Sequence, residues 1–279
     1  METTDDDNII RQDVSPESVY VGTYPMWLLF REKSERPSTE ILLEKLKVKF
    51  GHVDVLTERC AAYKDDLRGT SKLMIGYCEP AKKQFGDDVA RWQFWNCPNG
   101  VELLDSCSWQ VMIGDFMAGG LPILERANIL SDWLEIVLEL FPTCVAIFPK
   151  ASAKLLTAEK ARDNQFSGSQ RFFHFGVNAR LFTIQDTDEM VVDTLGMHAL
   201  GLTDIQYHFR DLDPNDVVTH AYNMAIYQFE NDEPIESGHT IIGIEPDSKW
   251  KCRYEHSIFQ PNRNVLDVAA GEFAVGDRS

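Results

Sequence analysis

Apolar positions recur along the chain with two different periods, which predicts an irregular mixture of helices and strands. Three- and four-residue spacing after Pro122 predicts a helix that Pro142 ends. Its apolar stripe is Leu130, Trp133, Leu134, Val137, Leu138 and Phe141. A second helix begins with Asp213 as N-cap and Pro214 at the first helical position. Its stripe is Val217, Val218, Ala221, Tyr222, Ala225 and Phe229.

Shorter apolar or alternating runs predict strands and two further helices. The strands are Met26–Phe30, Lys72–Cys78, Trp92–Trp95, Trp109–Asp115, Cys144–Phe148, Phe172–Ile184, Asp204–Phe209, His239–Ile244, Trp250–Tyr254 and Val265–Val268. One helix opens at Pro37-Ser38-Thr39-Glu40 with Ile41, Leu42 and Leu46 on a single face, and the other is Ala158–Arg162.

The irregular order of these elements predicts an α+β fold with two sheet-and-helix subdomains and mixed or antiparallel sheets. Residues 1–20 carry six acids and one base and are expected to form a flexible tail. The N-terminal subdomain then covers residues 21–165, and the C-terminal subdomain covers residues 166–279. One continuous sheet is the alternative arrangement.

The net charge of the chain limits the kinds of molecule that it can bind. The 279 residues include 27 Lys and Arg against 44 Asp and Glu, a net charge of −17. The negative electrostatic potential of such a chain repels nucleic acid and attracts a basic protein. The alternative is that the charge only keeps the protein soluble. The six cysteines form no C-x-x-C pair, and neither a secretory signal nor a membrane-length apolar segment is found. We therefore expect a cytoplasmic protein with reduced thiols, no cofactor and no membrane partner.

Three histidines in the C-terminal part are the candidate metal ligands. His208, His220 and His239 occur near Asp211 and Glu236, and together they could hold zinc for a metal-assisted hydrolase. They lack paired ligand spacing, so surface or hydrogen-bonded core histidines are the alternative. No G-x-G-x-x-G, Walker A, G-x-S-x-G or H-E-x-x-H motif accompanies them.

An acidic segment is the candidate partner-binding surface. Its residues Asp211, Asp216, Glu230, Asp232, Glu233 and Glu236 occur in a stretch that contains no Lys or Arg. The stretch is either a solvated face or a docking surface for a basic protein. Its Asp-rich start fails as a calcium loop, since Asp216 and Tyr222 replace the required glycine and carboxylate.

Two other parts of the chain are also candidates for binding a partner or a ligand. Trp92, Phe94 and Trp95 are either an aromatic anchor for a partner or part of a half-buried strand. The exposed amides at the Pro214 helix terminus could bind an anion, as in a small-ligand sensor, but the surrounding acids disfavour that.

Several motifs of the C-terminal part resemble a known family. They include Asn178-Ala179-Arg180-Leu181-Phe182, Asp193-Thr194-Leu195-Gly196-Met197, Leu200 through Gln206, His208-Phe209, Leu212-Asp213-Pro214, Ala221-Tyr222-Asn223 and Gly238-His239-Thr240-Ile241. Over about residues 172–270 the chain resembles the bacterial family called domain of unknown function 4261. The resemblance implies a bacterial, intracellular protein. The family has no assigned activity, so no catalytic residue is carried over.

The net charge of −17 and the acidic segment between Asp211 and His239 together favour a non-enzymatic protein that binds another protein, such as an immunity-type neutraliser of a basic toxin. The metal-assisted hydrolase is the alternative hypothesis.

Overall fold

The computed structural model describes residues 22–65, 69–81, 91–163 and 165–276. The acidic tail predicted at residues 1–20 lies outside the described residues. The chain divides into two compact units, an N-terminal unit within Tyr20–Gly176 and a C-terminal unit that contains Val177–Ser279. Each unit has its own sheet with helices, so the predicted α+β class is confirmed and the alternative of one continuous sheet is not observed.

The N-terminal unit has an antiparallel sheet. Its strands are β1 Thr23–Phe30, β2 Val53–Thr57, β3 Cys60–Asp65, β4 Gly69–Ile75, β5 Glu79–Pro80, β6 Trp109–Phe116, β7 Ala146–Pro149 and β8 Leu156–Thr157. They are ordered β2-β3-β4-β6-β1-β7-β8, and β5 pairs with β6. Its helices are α1 Thr39–Phe50, α2 Gly100–Ser106, α3 Ile123–Leu140, α4 Ala158–Arg162 and α5 Ser169–Gly176.

The helix predicted after Pro122 is the buried α3. Its apolar stripe packs into the core, where Leu130, Trp133 and Val137 are almost wholly inaccessible to solvent. Arg126 on the same helix is also buried, and its Nε donates to Asp115 Oδ2 on β6 at 2.6 Å. This ion pair joins the helix to the centre of the sheet.

The C-terminal unit has a mixed sheet covered by one long helix. Its strands are β9 Asn178–Thr183, β10 Met190–Leu195, β11 Asp204–Phe209, β12 Thr240–Ile242, β13 Lys249–His256 and β14 Asn264–Ala269, in the order β12-β13-β14-β11-β10-β9. Only β11 and β14 pair in parallel among these strands. The helix α6, Pro214–Glu230, packs on β9, β10 and β11. Asp213 caps it as predicted, by accepting from Asn215 N at 2.8 Å.

The strand predicted at Trp92–Trp95 is wrong. These residues form turns before α2, and only Phe94 enters the core, where it packs on Phe148. The side chains of Trp92 and Trp95 are 80% and 57% exposed. An aromatic run resembles a strand in sequence, but here one ring alone has a core to enter.

The single strand predicted at Phe172–Ile184 is also wrong in its first half. Phe172, Phe173 and Phe175 lie on the buried face of α5, and the strand β9 begins only at Asn178. Apolar and polar residues alternate after Phe173, which is the pattern of a strand. Burial of the adjacent Phe172 and Phe173 instead fits one face of a helix. In α1, Leu42 and Leu46 are buried as predicted, but Ile41 is half exposed.

Candidate functional site

A row of polar side chains crosses the C-terminal sheet, and all of them except the partly exposed Arg253 are buried. Arg180 on β9 pairs with Asp193 on β10, and Asp193 pairs with Gln206 on β11. Gln206 then pairs with Asp267 on β14, which pairs with Arg253 on β13. The neighbouring row faces α6, because Tyr207 contacts the ring of His220 on that helix. Since side chains alternate along a strand, the polar row faces away from α6.

The segment 257–263 covers this polar row through main-chain hydrogen bonds. Arg180 Nη1 donates to Gln260 O at 2.8 Å, and Arg263 Nη1 donates to Phe259 O and Pro261 O at 3.2 and 3.1 Å. Ile258 N donates to the Gln206 side chain at 2.8 Å. These bonds give the buried side chains of Arg180, Gln206 and Arg263 partners in the main chain.

Two carboxylates balance the two arginines. Asp193 Oδ1 accepts from Arg180 Nε, and Asp193 Oδ2 accepts from Arg180 Nη2 and from Arg263 Nη2. Arg263 Nη2 also donates to Thr194 O, and Arg263 Nε donates to Asp204 Oδ2 at 2.9 Å. Each nitrogen of Arg263 therefore donates within the protein, so this guanidinium holds the structure together and does not reach a ligand.

Asp204 is the fully buried centre of this network. Its Oδ1 accepts from Thr194 Oγ1 and Met197 N, and its Oδ2 accepts from Arg263 Nε and His198 Nδ1. Burial by itself raises the pKa of this carboxyl, but Arg263 and His198 outweigh burial and hold the pKa at about 2. Asp204 is therefore an anion at neutral pH.

His198 is the part of this network that reaches solvent. It lies in the 3-10 turn Met197–Leu200, and 28% of its side chain is exposed. Its Nδ1 is 2.8 Å from Asp204 Oδ2, and the ionised carboxylate can only accept, so Nδ1 carries the proton. Gly201 ends the turn in the left-handed region at φ 89°, which glycine adopts readily. Nε2, the other ring nitrogen, has no partner among the described residues and is an acceptor whenever the imidazole is neutral.

The three histidines predicted as metal ligands each have their own protein partner. His208 Nε2 is 2.9 Å from Glu189 Oε2, and the Nδ1 of His239 accepts from Glu236 N at 3.1 Å. His220 donates from Nε2 to Ile242 O at 3.0 Å and accepts at Nδ1 from Tyr207 at 2.7 Å. In the described ranges, no three His, Cys, Asp or Glu side chains are grouped to hold a metal ion. The geometry therefore does not favour the metal-assisted hydrolase.

The predicted acidic residues divide between the two ends of α6. Asp211 and Asp216 lie at its start, while Glu230, Asp232 and Glu236 lie at or beyond its end, and all five are exposed. Glu233 differs, because its carboxylate accepts from Thr203 N at 2.6 Å and from the Thr203 hydroxyl. Glu233 fastens the chain after α6 to the start of β11, so its carboxylate already has donors within the protein.

Between those acidic ends, the outer face of α6 carries neutral side chains. Thr219, Asn223 and Tyr227 follow each other at helical spacing, and the Tyr227 side chain is 48% exposed. The whole helix contains no Lys or Arg. We name the surface formed by Asp216, Thr219, Asn223, Tyr227 and Glu230 the α6 face.

Sequence reasoning missed the buried charge network. Arg180, Asp193 and Asp204 occur inside the motifs that carry the resemblance to the family. Each of them is a charged residue within an apolar strand pattern. That pattern is the signal that could have revealed them, because an unpaired charge does not remain inside a sheet. His198 carries no comparable signal in the sequence.

In the comparisons with known proteins, one family model matches the greater part of this unit. The family model described as Domain of unknown function (DUF4261) matches residues 193–269, which run from Asp193 to Ala269 at the end of β14. No curated protein and no solved structure matches the chain. No described helix is both long and apolar enough to cross a membrane. The family whose model matches residues 193–269 is therefore the one that the motifs of the C-terminal part resemble.

Proposed function

We propose that the protein is a binding protein of the bacterial cytoplasm that uses the α6 face to bind a basic protein. An immunity-type neutraliser of a basic toxin is one function of this kind. The absence of any cation along α6, with acids at both of its ends, is the observation that carries the proposal. All six cysteines are free, and four of them are buried, which suits a reducing compartment.

The surface charge of the C-terminal unit supports a basic partner. Residues 177–276 contain 17 acidic and 6 basic side chains. Three of those acids and two of the bases are buried in or beside the charge network, so the surface has 14 acids against 4 bases. Three of the four remaining bases lie on β13. A partner that approaches α6 therefore meets a negative potential, which speeds the encounter with a cation.

The dimensions of the α6 face fit a protein interface. A helix of 17 residues is about 25 Å long, since each residue rises by about 1.5 Å. A standard interface covers about 800 Å² on each partner, which corresponds to a patch of similar width. In a typical interface, a few aromatic side chains inside a polar rim contribute most of the binding energy. The half-exposed Tyr227 among neutral side chains, with acidic side chains at both ends of the α6 face, matches that pattern.

Charge reversal at one end of α6 tests this proposal. In the double variant Glu230→Lys, Glu236→Lys both side chains are exposed, and a lysine near the helix C-terminus also suits the helix dipole. Asp188→Lys is the matched control, because it reverses one exposed acid in the turn after β9, away from the end of α6 that Glu233 fastens to Thr203.

Immobilised wild-type protein and both variants are incubated with bacterial lysate, and bound proteins are identified by mass spectrometry. We expect basic proteins to bind the wild type and Asp188→Lys and to be lost from the double variant. For a captured partner, the association rate should fall with ionic strength, and Tyr227→Ala should increase the dissociation rate about tenfold. Equal capture of the same proteins by wild type and the double variant would reject the α6 face.

A further inference from the structure

We propose that His198 is a general base of a hydrolytic site, and that its substrate is a small, uncharged or cationic ester. This activity is independent of binding at the α6 face. It rests on the buried network that holds the imidazole, on the hydrogen bond between Nδ1 and Asp204, and on the partial exposure of the His198 side chain.

The orientation of the imidazole and the position of its Nδ1 proton follow from the network. Asp204 has four hydrogen bonds, two to each oxygen, and three of them come from Thr194, Met197 and Arg263. The fourth comes from His198 Nδ1. The neutral imidazole is thus held in the tautomer with hydrogen on Nδ1, and the lone pair of Nε2 points away from the buried carboxylate. A buried aspartate that orients a histidine in this way is the arrangement that hydrolases use for proton transfer.

The imidazole is also rigidly placed. Met197 and Leu200 on either side of it are buried, and Gly201 N donates to the carbonyls of Met197 and His198. The turn begins directly after β10 and ends shortly before β11, so two paired strands fix both of its ends. A base held in one position loses little freedom on reaching the transition state, which favours catalysis over a mobile surface histidine.

The proposed step uses water as the nucleophile. His198 Nε2 accepts a proton from a water molecule while the water oxygen bonds to the acyl carbon. The bond between the acyl carbon and the alkoxy oxygen then breaks, and the leaving oxygen takes the electron pair and the proton from Nε2. The imidazole returns to its starting state, so no oxidant or metal ion is consumed. The negative surface of this unit disfavours anionic esters, which is why the substrate is uncharged or cationic.

The variant His198→Asn separates this role from a structural one. The Asn side-chain amide can donate to Asp204 in place of Nδ1, but it has no atom that replaces the lone pair of Nε2. Purified full-length wild type and variant are compared in the hydrolysis of p-nitrophenyl acetate, together with their thermal unfolding. We expect a similar unfolding temperature and a fall of at least about tenfold in the second-order rate constant. Equal rate constants in a folded variant would overturn the proposal.

A measurement on the wild-type protein covers the case in which His198→Asn does not fold. Diethyl pyrocarbonate acylates neutral imidazoles, and peptide mass mapping gives the rate at each histidine. His52 is the control in the same sample, with a side chain 73% exposed against 28% for His198. We expect His198 to react at least as fast as His52 despite its lower exposure. A rate lower than that of His52 would show that the imidazole is not activated and would overturn the proposal.

Discussion

Replacing Asp204 by asparagine tests the energetic importance of the buried network. The substitution keeps the size of the side chain and removes its charge. The pKa of Asp204 lies at about 2 instead of 3.8, and this difference corresponds to about 2 kcal/mol of stability for the ionised carboxylate in the folded protein. The asparagine amide would also face donors such as Met197 N, and the lost hydrogen bonds add about 1–3 kcal/mol. The expected loss at pH 7 is therefore about 3–5 kcal/mol, the usual range for breaking a buried ion pair.

The same variant has a distinctive dependence on pH. A depressed carboxyl pKa stabilises the protein above pH 3.8, and this stability is lost as the pH falls toward 2. From these two values, the wild type should lose about 1 kcal/mol of this contribution between pH 5 and pH 3. The variant has no carboxylate at this position, so the difference between the two proteins should shrink by that amount.

Urea unfolding at pH 7, 5 and 3 measures these differences. Trp250 is buried in β13 and is the only tryptophan of residues 177–279, so the fluorine signal of 5-fluorotryptophan at that position reports on the C-terminal unit. Asp213→Asn is the matched control, because asparagine caps a helix as well as aspartate does and should change stability by less than about 0.5 kcal/mol. A loss below about 1 kcal/mol for Asp204→Asn, or a loss that is independent of pH, would refute this account of the network.

Three further predictions concern other parts of the molecule. Gly114→Ala should destabilise the N-terminal unit by about 1–3 kcal/mol in thermal unfolding, because the added Cβ would lie 2.4 Å from Tyr24 O. Gly120→Ala is its control, with nothing within 4 Å of the added carbon, and equal unfolding temperatures would contradict the steric argument. Burial lowers the pKa of His220 below 6.5, so the unfolded chain takes up the proton first and the free energy of unfolding should decrease as the pH falls below about 6.5. His220→Gln should remove that slope in urea titrations at several pH values, and an unchanged slope would assign it to another group. Adding Zn²⁺ to metal-free protein should leave the unfolding temperature unchanged, since His208, His220 and His239 each have a protein partner, and a stabilising shift would restore the metal hypothesis.

The sequence predicted those elements whose signals are local. The bounds of β11 and α4 are as predicted, and the start of α6 follows from the cap Asp213 and the fixed backbone of Pro214. The strand prediction at Phe172–Phe175 is wrong, because three phenylalanines within four residues fit a strand or a short buried helix equally well until their packing partners are known.

The candidate site could not be predicted in the same way, because its contacts join distant parts of the chain. Arg263 and Asp193 are 70 residues apart, and their pairing depends on the parallel arrangement of β11 and β14. The acidic residues are visible in the sequence as a charge pattern, but composition does not show that Glu233 binds Thr203 or that α6 separates the others. The spacing of apolar residues predicts which face of a helix or strand a side chain lies on. It does not predict which other element that face contacts, and the candidate site depends on such contacts.

The polar row across the C-terminal sheet also determines which strands can be neighbours. Arginine, aspartate, glutamine, aspartate and arginine occupy successive strands from β9 to β13, so their signs alternate on either side of a neutral centre. A slip of one strand by a single residue would turn its polar side chain toward α6 and present an apolar one to a charge. The polar row therefore raises the free energy of misaligned sheets more than it lowers the free energy of the native sheet. Only one alignment of these five strands gives the charged side chains their partners.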